Sequence, residues 1–166
     1  KHELFQLMVF HANLLADNSF YSANTNHGMF QDEALIIFSK YFSEYKGLNK
    51  YYELAVNRLM DYFDNLVSSE GVHLEHSPAY HQTIAGALKN YGEAISKFGD
   101  DDVAEQFYSK YLNMVNYATH VIKPDGKWPF VSDTYANSNP NPVLWEDPYY
   151  QYAVSKGHTG KKPEET

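Results

Sequence analysis

Between residues 1 and 122, apolar side chains recur at i, i+3/i+4 and i+7 in five stretches, a spacing that puts them on one face of an α-helix. Leu4, Met8, Ala12 and Leu15 form the first stripe. Phe30, Ala34, Ile37, Phe38 and Tyr41 form the second, and Tyr52, Ala55, Val56, Leu59, Phe63 and Leu66 the third. Ile84, Ala87, Leu88, Tyr91, Ile95 and Phe98 form the fourth, and Val103, Phe107, Met114, Val115, Ala118 and Val121 the fifth. The breaks between the stripes have their own chemistry. Gly47 follows the second helix, and Ser68, Ser69 and Gly71 end the third. Gly99 suits a left-handed C-terminal position after the fourth. Ser77-Pro78 reads as an N-cap and first-turn proline, and Asp100, Asp101 and Asp102 open the fifth helix, where carboxylates cap free N–H groups.

Beyond Ile122 the pattern stops. Pro124, Pro129, Pro140, Pro142 and Pro148, with Gly126, predict a long loop rather than a helix. The last residues, from Gly157, are polar and expected to fray. No strand alternation extends beyond Val72–Glu75, and no repeat of fixed period is present. The expectation is an all-α chain of antiparallel helical hairpins over 1–122, a Pro/Asn-rich loop region of the same domain over 123–150, and a C-terminal segment over 151–166.

Composition narrows the function. At 166 residues, 43% hydrophobic, the chain is long enough for one packed domain. It has no apolar run long enough to span a bilayer. Thirteen Lys+Arg against 21 Asp+Glu give −8, the wrong sign for a nucleic-acid partner, and Arg58 is the single arginine. Cysteine is absent, which removes thiolate metal sites and cysteine nucleophiles. Aromatics reach 16%, suited to stacking on sugars and to helix packing, the second being the expectation for most of them. The chain opens on Lys1-His2 without an initiator Met or a leader, so a fragment or a processed piece is expected.

Two segments concentrate chemistry. Asn24-Thr25-Asn26-His27-Gly28-Met29-Phe30-Gln31 sits where a loop enters the second helix. An N-cap explains one of its polar residues but not the Asn-His-Gly run. Gly71-Val72-His73-Leu74-Glu75-His76-Ser77-Pro78-Ala79-Tyr80-His81-Gln82 enters the fourth helix, with Tyr80 and His81 in its first turn beside N–H groups that favour an anion. A phenol there is a candidate for proton transfer. His73, Glu75, His76 and His81 are alternatively metal ligands, although this HxxH lies in a loop rather than at i, i+4 on a helix.

With Lys123-Pro124-Asp125-Gly126-Lys127-Trp128-Pro129-Phe130-Val131-Ser132-Asp133-Thr134, these segments resemble the heparinase II/III-like polysaccharide lyases, of the heparinase III and alginate lyase type. The resemblance spans about residues 1–150. It implies part of an incomplete α/α toroid, with the family's β-sandwich domain outside this chain, and β-elimination at a uronic acid of an acidic polysaccharide. By this resemblance Asn26 hydrogen-bonds the uronate carboxylate, His27 shares that task, and Tyr80 transfers a proton at C5, at the glycosidic oxygen, or at both. His81 and Gln82 would line the sugar cleft, with Gln31, His76, Glu75 and Asp133 as further substrate-binding positions. A remaining histidine or second tyrosine is expected later in the parent chain. No cofactor, catalytic metal or nucleic acid is implied, and the location implied is periplasmic or extracellular. The charge and the lone arginine favour a sparsely sulfated heparan-type chain or an unsulfated polyuronate such as alginate. Two other functions stay open: a non-catalytic glycan-binding helical domain, and a metal-dependent hydrolase built on His73, Glu75, His76 and His81.

Overall fold

The computed structural model describes residues 2–135, 138–141 and 145–164, so Pro142, Glu165 and Thr166 lie outside the described residues. The described residues form six helices and no strand: α1 (His2–Ala16), α2 (Asn26–Tyr41), α3 (Asn49–Leu66), α4 (Pro78–Lys97), α5 (Asp101–Val121) and α6 (Pro148–Val154). They divide into two compact units, residues 1–66 and 67–166.

In the first unit α1, α2 and α3 pack on one another. The third stripe lies where the sequence places it: Tyr52, Ala55, Val56, Leu59 and Phe63 are buried, joined by Tyr51 and Tyr62. The second stripe is displaced. Phe38 is buried as the stripe predicts, but Phe30, Ala34, Ile37 and Tyr41 are exposed, and α2 buries Met29, Asp32, Leu35, Ile36 and Ser39 in their place. The cause is a polar group at the centre of the buried face. Asp32 is fully buried beside Arg58 of α3, and Ser39 returns its hydroxyl to the Ile36 carbonyl at 3.0 Å. The first stripe is only partly covered: Ala12 is buried, Met8 and Leu15 are half-buried and Leu4 is exposed, while Leu7, Phe10 and Leu14, off the stripe, are exposed too. Aromatics fasten α1 instead, with Phe5 stacked on Tyr45 at 4.3 Å and 5.3 Å from Phe42.

In the second unit α4 and α5 form an antiparallel hairpin across a three-residue link. Gly99 (φ +83°) donates its N–H to Ser96 O at 2.8 Å and Asp100 donates to Ile95 O at 3.3 Å, the paired bonds of a Schellman stop. Asp100 is the N-cap of α5 but makes no side-chain capping bond. Asp101 accepts from Ser96 Oγ at 2.6 Å instead. Ser77 caps α4 as expected, with Pro78 behind it. Gly71 (φ +79°) lies so close to Asn113 and Met114 of α5 that a Cβ there would enter their backbone. An isolated antiparallel bridge, Val67 with His73, closes the loop before α4.

Part of the expected 123–150 loop is helical. Asp147 Oδ1 accepts from Tyr149 N (2.9 Å) and Tyr150 N (2.8 Å), and Pro148 begins α6. That Asp-Pro start was hidden among prolines read as loop formers. Trp145 and Tyr150 are fully buried, with ring centroids 4.7 Å apart. The tail past Gly157 turns back to at least Lys161, whose N–H reaches Pro148 O at 2.9 Å.

Candidate active site

The entrance to α2 is shaped by its glycine. Thr25 is the N-cap; its Oγ1 accepts from Gly28 N (3.2 Å) and donates to Ser22 O (2.8 Å). A Cβ on Gly28 would collide with the Ser22 carbonyl oxygen, so the incoming loop lies directly on the first turn. Asn26 and His27 therefore occupy the first two helical positions rather than the cap. The Asn26 side chain is half-buried, His27 is exposed, and neither makes a side-chain hydrogen bond among the described residues. Gln31 is used differently. Its Oε1 accepts from Ser22 N at 3.0 Å and its Nε2 donates to Phe20 O at 3.4 Å, pinning the loop to the helix.

A buried charge network supports the same entrance. Tyr21 Oη donates to Asp32 Oδ2 at 2.9 Å, and the Arg58 guanidinium lies 3.9 Å from the centre of the Tyr21 ring. Arg58 also donates to the Leu15 and Ala16 carbonyls and to Asn18 Oδ1, at 2.7 to 3.1 Å. Burial pushes the Asp32 carboxyl up to about 7 against the opposing pull of Tyr21 and Arg58. The Tyr21 phenol is raised by burial and by Asp32.

At the entrance to α4, the first-turn N–H groups are already occupied. Pro78 has none, Ala79 N donates to Thr134 Oγ1 (3.4 Å), Tyr80 N to Ser77 Oγ (3.4 Å) and His81 N to Ser77 O (2.8 Å). The expected anion-receptive N–H groups are thus spent on the fold. Tyr80 itself is 38% exposed, and its hydroxyl has no hydrogen-bond partner among the described residues. Gln82 Oε1 accepts from Asn141 N at 2.9 Å.

The 123–134 loop closes over this entrance. Asp125 Oδ1 accepts from Lys127 N (3.1 Å), and Gly126 sits so near α6 that a Cβ would lie 2.6 Å from Val154 O. Ser132 Oγ donates to Glu75 O at 3.4 Å, and Thr134 Oγ1 lies 3.2 Å from Ser77 Oγ. Asp133 is exposed between these two anchors and has no side-chain partner among the described residues.

Beneath the loop lies a cavity of about 370 Å³, lined by residues that include His73, His76, His81, Tyr117, Trp128 and Ser132. His81 is buried, with Nε2 2.9 Å from Met114 O. Burial lowers its pKa to about 4 and lowers that of His73 as well. His76, at φ +56°, and Glu75 are exposed. The metal-ligand reading is therefore not realised. Two of its members are buried and two face outward, and no group of three or more His, Asp or Glu that could hold a metal occurs among the described residues.

The site residues named from sequence thus fall into two sets. Asn26 and His27 in the first unit, and Tyr80, Glu75, His76 and Asp133 in the second, carry no side-chain hydrogen bond among the described residues. Gln31, His81 and Gln82 are held by backbone groups. Sequence reasoning missed Tyr117, Trp128 and Ser132 as cavity walls, because α5 and the loop reach His81 only in the folded unit. It missed Thr134 as the partner of Ser77 for the same reason.

Comparison with known proteins gives a consistent answer. Among solved structures, heparan sulfate lyase HepC from Pedobacter heparinus is similar at TM-score 0.69 and 18% identity, over 92% of this chain and 25% of that one. A heparinase III, the BT4657 gene product, is similar in its methylated-lysine form at TM-score 0.69 and 18% identity, over 88% of this chain and 24% of that one. A second structure of that heparinase III gives TM-score 0.68 at the same identity and coverage. The chain thus spans about a quarter of the length of these solved relatives and shares the fold of their helical region. No curated protein matches the sequence. The sequence model for the heparinase II/III N-terminus matches residues 2–150, nearly the whole chain, and on that match the chain belongs to the heparinase II/III family.

Proposed function

We propose that this chain supplies the carboxylate-binding and proton-transfer groups of a polysaccharide lyase that cleaves uronic-acid-containing acidic polysaccharide by β-elimination. The observation that carries this reading is that Asn26, His27 and Tyr80 stand in the first turns of two helices without side-chain partners among the described residues, in a chain of the heparinase II/III family.

The chemistry needs those groups. The C5 proton of a uronate is weakly acidic because the adjacent carboxylate is already negative. Hydrogen bonds from the Asn26 amide, with His27 beside it, offset that charge and stabilise the enolate-like intermediate. Asn26 donates at every pH, whereas His27 donates from both nitrogens only when protonated. Tyr80, as the phenolate, takes the C5 proton. The C5–H electron pair forms the C4=C5 double bond and the C4–O bond breaks toward the glycosidic oxygen. The Tyr80 phenol then returns a proton to that oxygen. No water is consumed. Exposed Asp133 and His76 are contact positions for the chain of sugars, and a further catalytic histidine or tyrosine belongs to the rest of the parent protein.

A sparsely sulfated heparan-type chain or a polyuronate such as alginate suits the −8 charge and the single arginine. Export to the periplasm or the outside of the cell goes with a polymer of that size. The test uses the complete parent protein with heparan sulfate, alginate, hyaluronan and chondroitin sulfate, following the ultraviolet absorbance of unsaturated uronate. A rise on one polymer, lost in Tyr80→Phe, supports the reading and names the substrate. A flat trace on all four, with sugar binding retained, overturns it in favour of a glycan-binding domain.

A further inference from the structure

The cavity between α4, α5 and the 123–134 loop holds polar atoms that the fold leaves unsatisfied. His73 is 2% exposed, yet among the described residues neither ring nitrogen has a partner. His81 is 3% exposed and its Nδ1 has none. Trp128 is 4% exposed and its indole N–H has none. Buried polar atoms left unpaired cost free energy comparable to a lost hydrogen bond, so three such residues around one space mark a site built for something.

Their chemistry specifies what. His81 Nε2 faces the Met114 carbonyl, which only accepts, so Nε2 carries the hydrogen and Nδ1 presents a lone pair. Trp128 Nε1 only donates. Neutral His73 offers one donor and one acceptor. The set is therefore two donors and two acceptors, with the Ser132 hydroxyl close by. An anion provides acceptors alone and would face two lone pairs. A cation provides donors alone and would face two N–H groups. Only hydroxyl-like groups, which donate and accept together, satisfy all four. No Lys, Arg, Asp or Glu lines the space, and the remaining walls are the Tyr117 and Trp128 rings, Pro78, Pro129, Val121 and Val131, with the His76 imidazole and Ser77, whose hydroxyl is already paired with Thr134. Such walls match the C–H faces of a pyranose, and about 370 Å³ falls in the range of small-ligand pockets.

We propose that this cavity binds one uncharged monosaccharide unit, such as an N-acetylhexosamine or a hexose, through His73, His81, Trp128 and Ser132. The site does not depend on the elimination reaction; it serves a lyase and a glycan-binding domain equally. Water satisfies the same atoms in the free protein, and the sugar hydroxyls replace it.

The test is titration of the tryptophan-labelled protein with N-acetylglucosamine and glucose, with glucuronate, inorganic sulfate and glycerol as controls. It follows the indole N–H resonance that disappears in Trp128→Phe. A saturable shift with a neutral sugar, weaker or absent with the controls, is the expected result. Calorimetry should then show about a ten-fold loss of affinity in Trp128→Phe, the net worth of one buried hydrogen bond. Ser132→Ala, at an exposed position, should weaken binding several-fold with the fold intact, and it keeps the test valid if Trp128→Phe does not fold. No saturable shift at tens of millimolar neutral sugar, or an equal response to glycerol or to the anions, overturns the proposal. Neutral-sugar binding with no lyase activity would retain this inference while removing the catalytic one.

Discussion

Arg58 of α3 sits 3.6 Å from the carboxylate of Asp32 on α2, and both side chains are almost wholly withdrawn from solvent. This pair turns the α2 register and ties the loop before Asn26 to the core through the Leu15, Ala16 and Asn18 acceptors. At pH 8, where Asp32 is ionised, breaking the buried pair from one side leaves an uncompensated charge, so Arg58→Met should cost about 3–5 kcal/mol there. Urea unfolding monitored by circular dichroism reads that loss. A change below about 0.5 kcal/mol, the range of ordinary surface substitutions, would refute the role given to the pair.

The same pair sets a pH dependence. The Asp32 carboxyl is raised from 3.8 to about 7, so the folded protein holds a proton that the unfolded chain releases in that interval. The stability from this group is fully present below the unfolded value and is lost as pH rises through about 7. His81 works oppositely. Its folded pKa of about 4 lies below the ordinary 6.5, so its contribution is present above 6.5 and is lost as pH falls toward 4. His73, also lowered by burial, acts in the same sense as His81. Between pH 6.5 and 8 the Asp32 contribution is read against Asp32→Asn, which keeps both histidines: the melting temperature of the parent relative to that variant should fall across the window. Calorimetric melts of both proteins at several pH values measure it.

Gly28 and Gly86 should respond in opposite directions to the same substitution. Gly28→Ala drives a methyl into the Ser22 carbonyl and should destabilise by about 1–3 kcal/mol, loosening the loop that leads to Asn26. Gly86 lies inside α4 with open space around its Cβ position, so Gly86→Ala should be neutral or stabilise by up to about 1 kcal/mol. Thermal melts of the two variants side by side decide the matter.

Tyr80→Phe should separate fold from chemistry. The hydroxyl is unpartnered and the ring 38% exposed, so stability should stay within about 0.5 kcal/mol of the parent. Removal of a proton-transfer group should lower kcat by about 10²-fold or more. A variant with unchanged kcat would remove Tyr80 from the mechanism.

Thr134→Val deletes the hydroxyl that meets both Ser77 Oγ and Ala79 N at the start of α4. The expected cost is about 1–2 kcal/mol, with faster proteolysis of the 123–134 loop. Limited digestion compared between the two proteins provides the readout.

Local signals in the sequence were read well where the partner lies nearby. Ser77-Pro78 and Gly99 mark helix ends through bonds within a few residues, and the α3, α4 and α5 stripes obey simple burial. The α2 stripe misled because its central buried residue is an aspartate, made tolerable by an arginine 26 positions away that no periodicity reveals. The α1 stripe was legible at Met8, Ala12 and Leu15 but not at Leu4, which shows the same helical spacing yet stays exposed. The motif residues Asn26, His27 and Tyr80 were legible as side chains at helix entrances. The cavity was not, because Trp128, Tyr117 and His81 meet only after a long loop folds back.

The short link between α4 and α5 works as a ruler. It fixes the phase of one helix against the other at the Gly99 end. The consequence appears at the far end, roughly 27 Å away at 1.5 Å per residue, where His81 and Tyr117 bring their rings to 5.1 Å. One residue added to the link would turn the α5 face by about 100°, carrying Tyr117 and Val121 off the wall they share with His81. The length of a connection that touches no sugar thereby governs the width of a pocket at the opposite end of the hairpin.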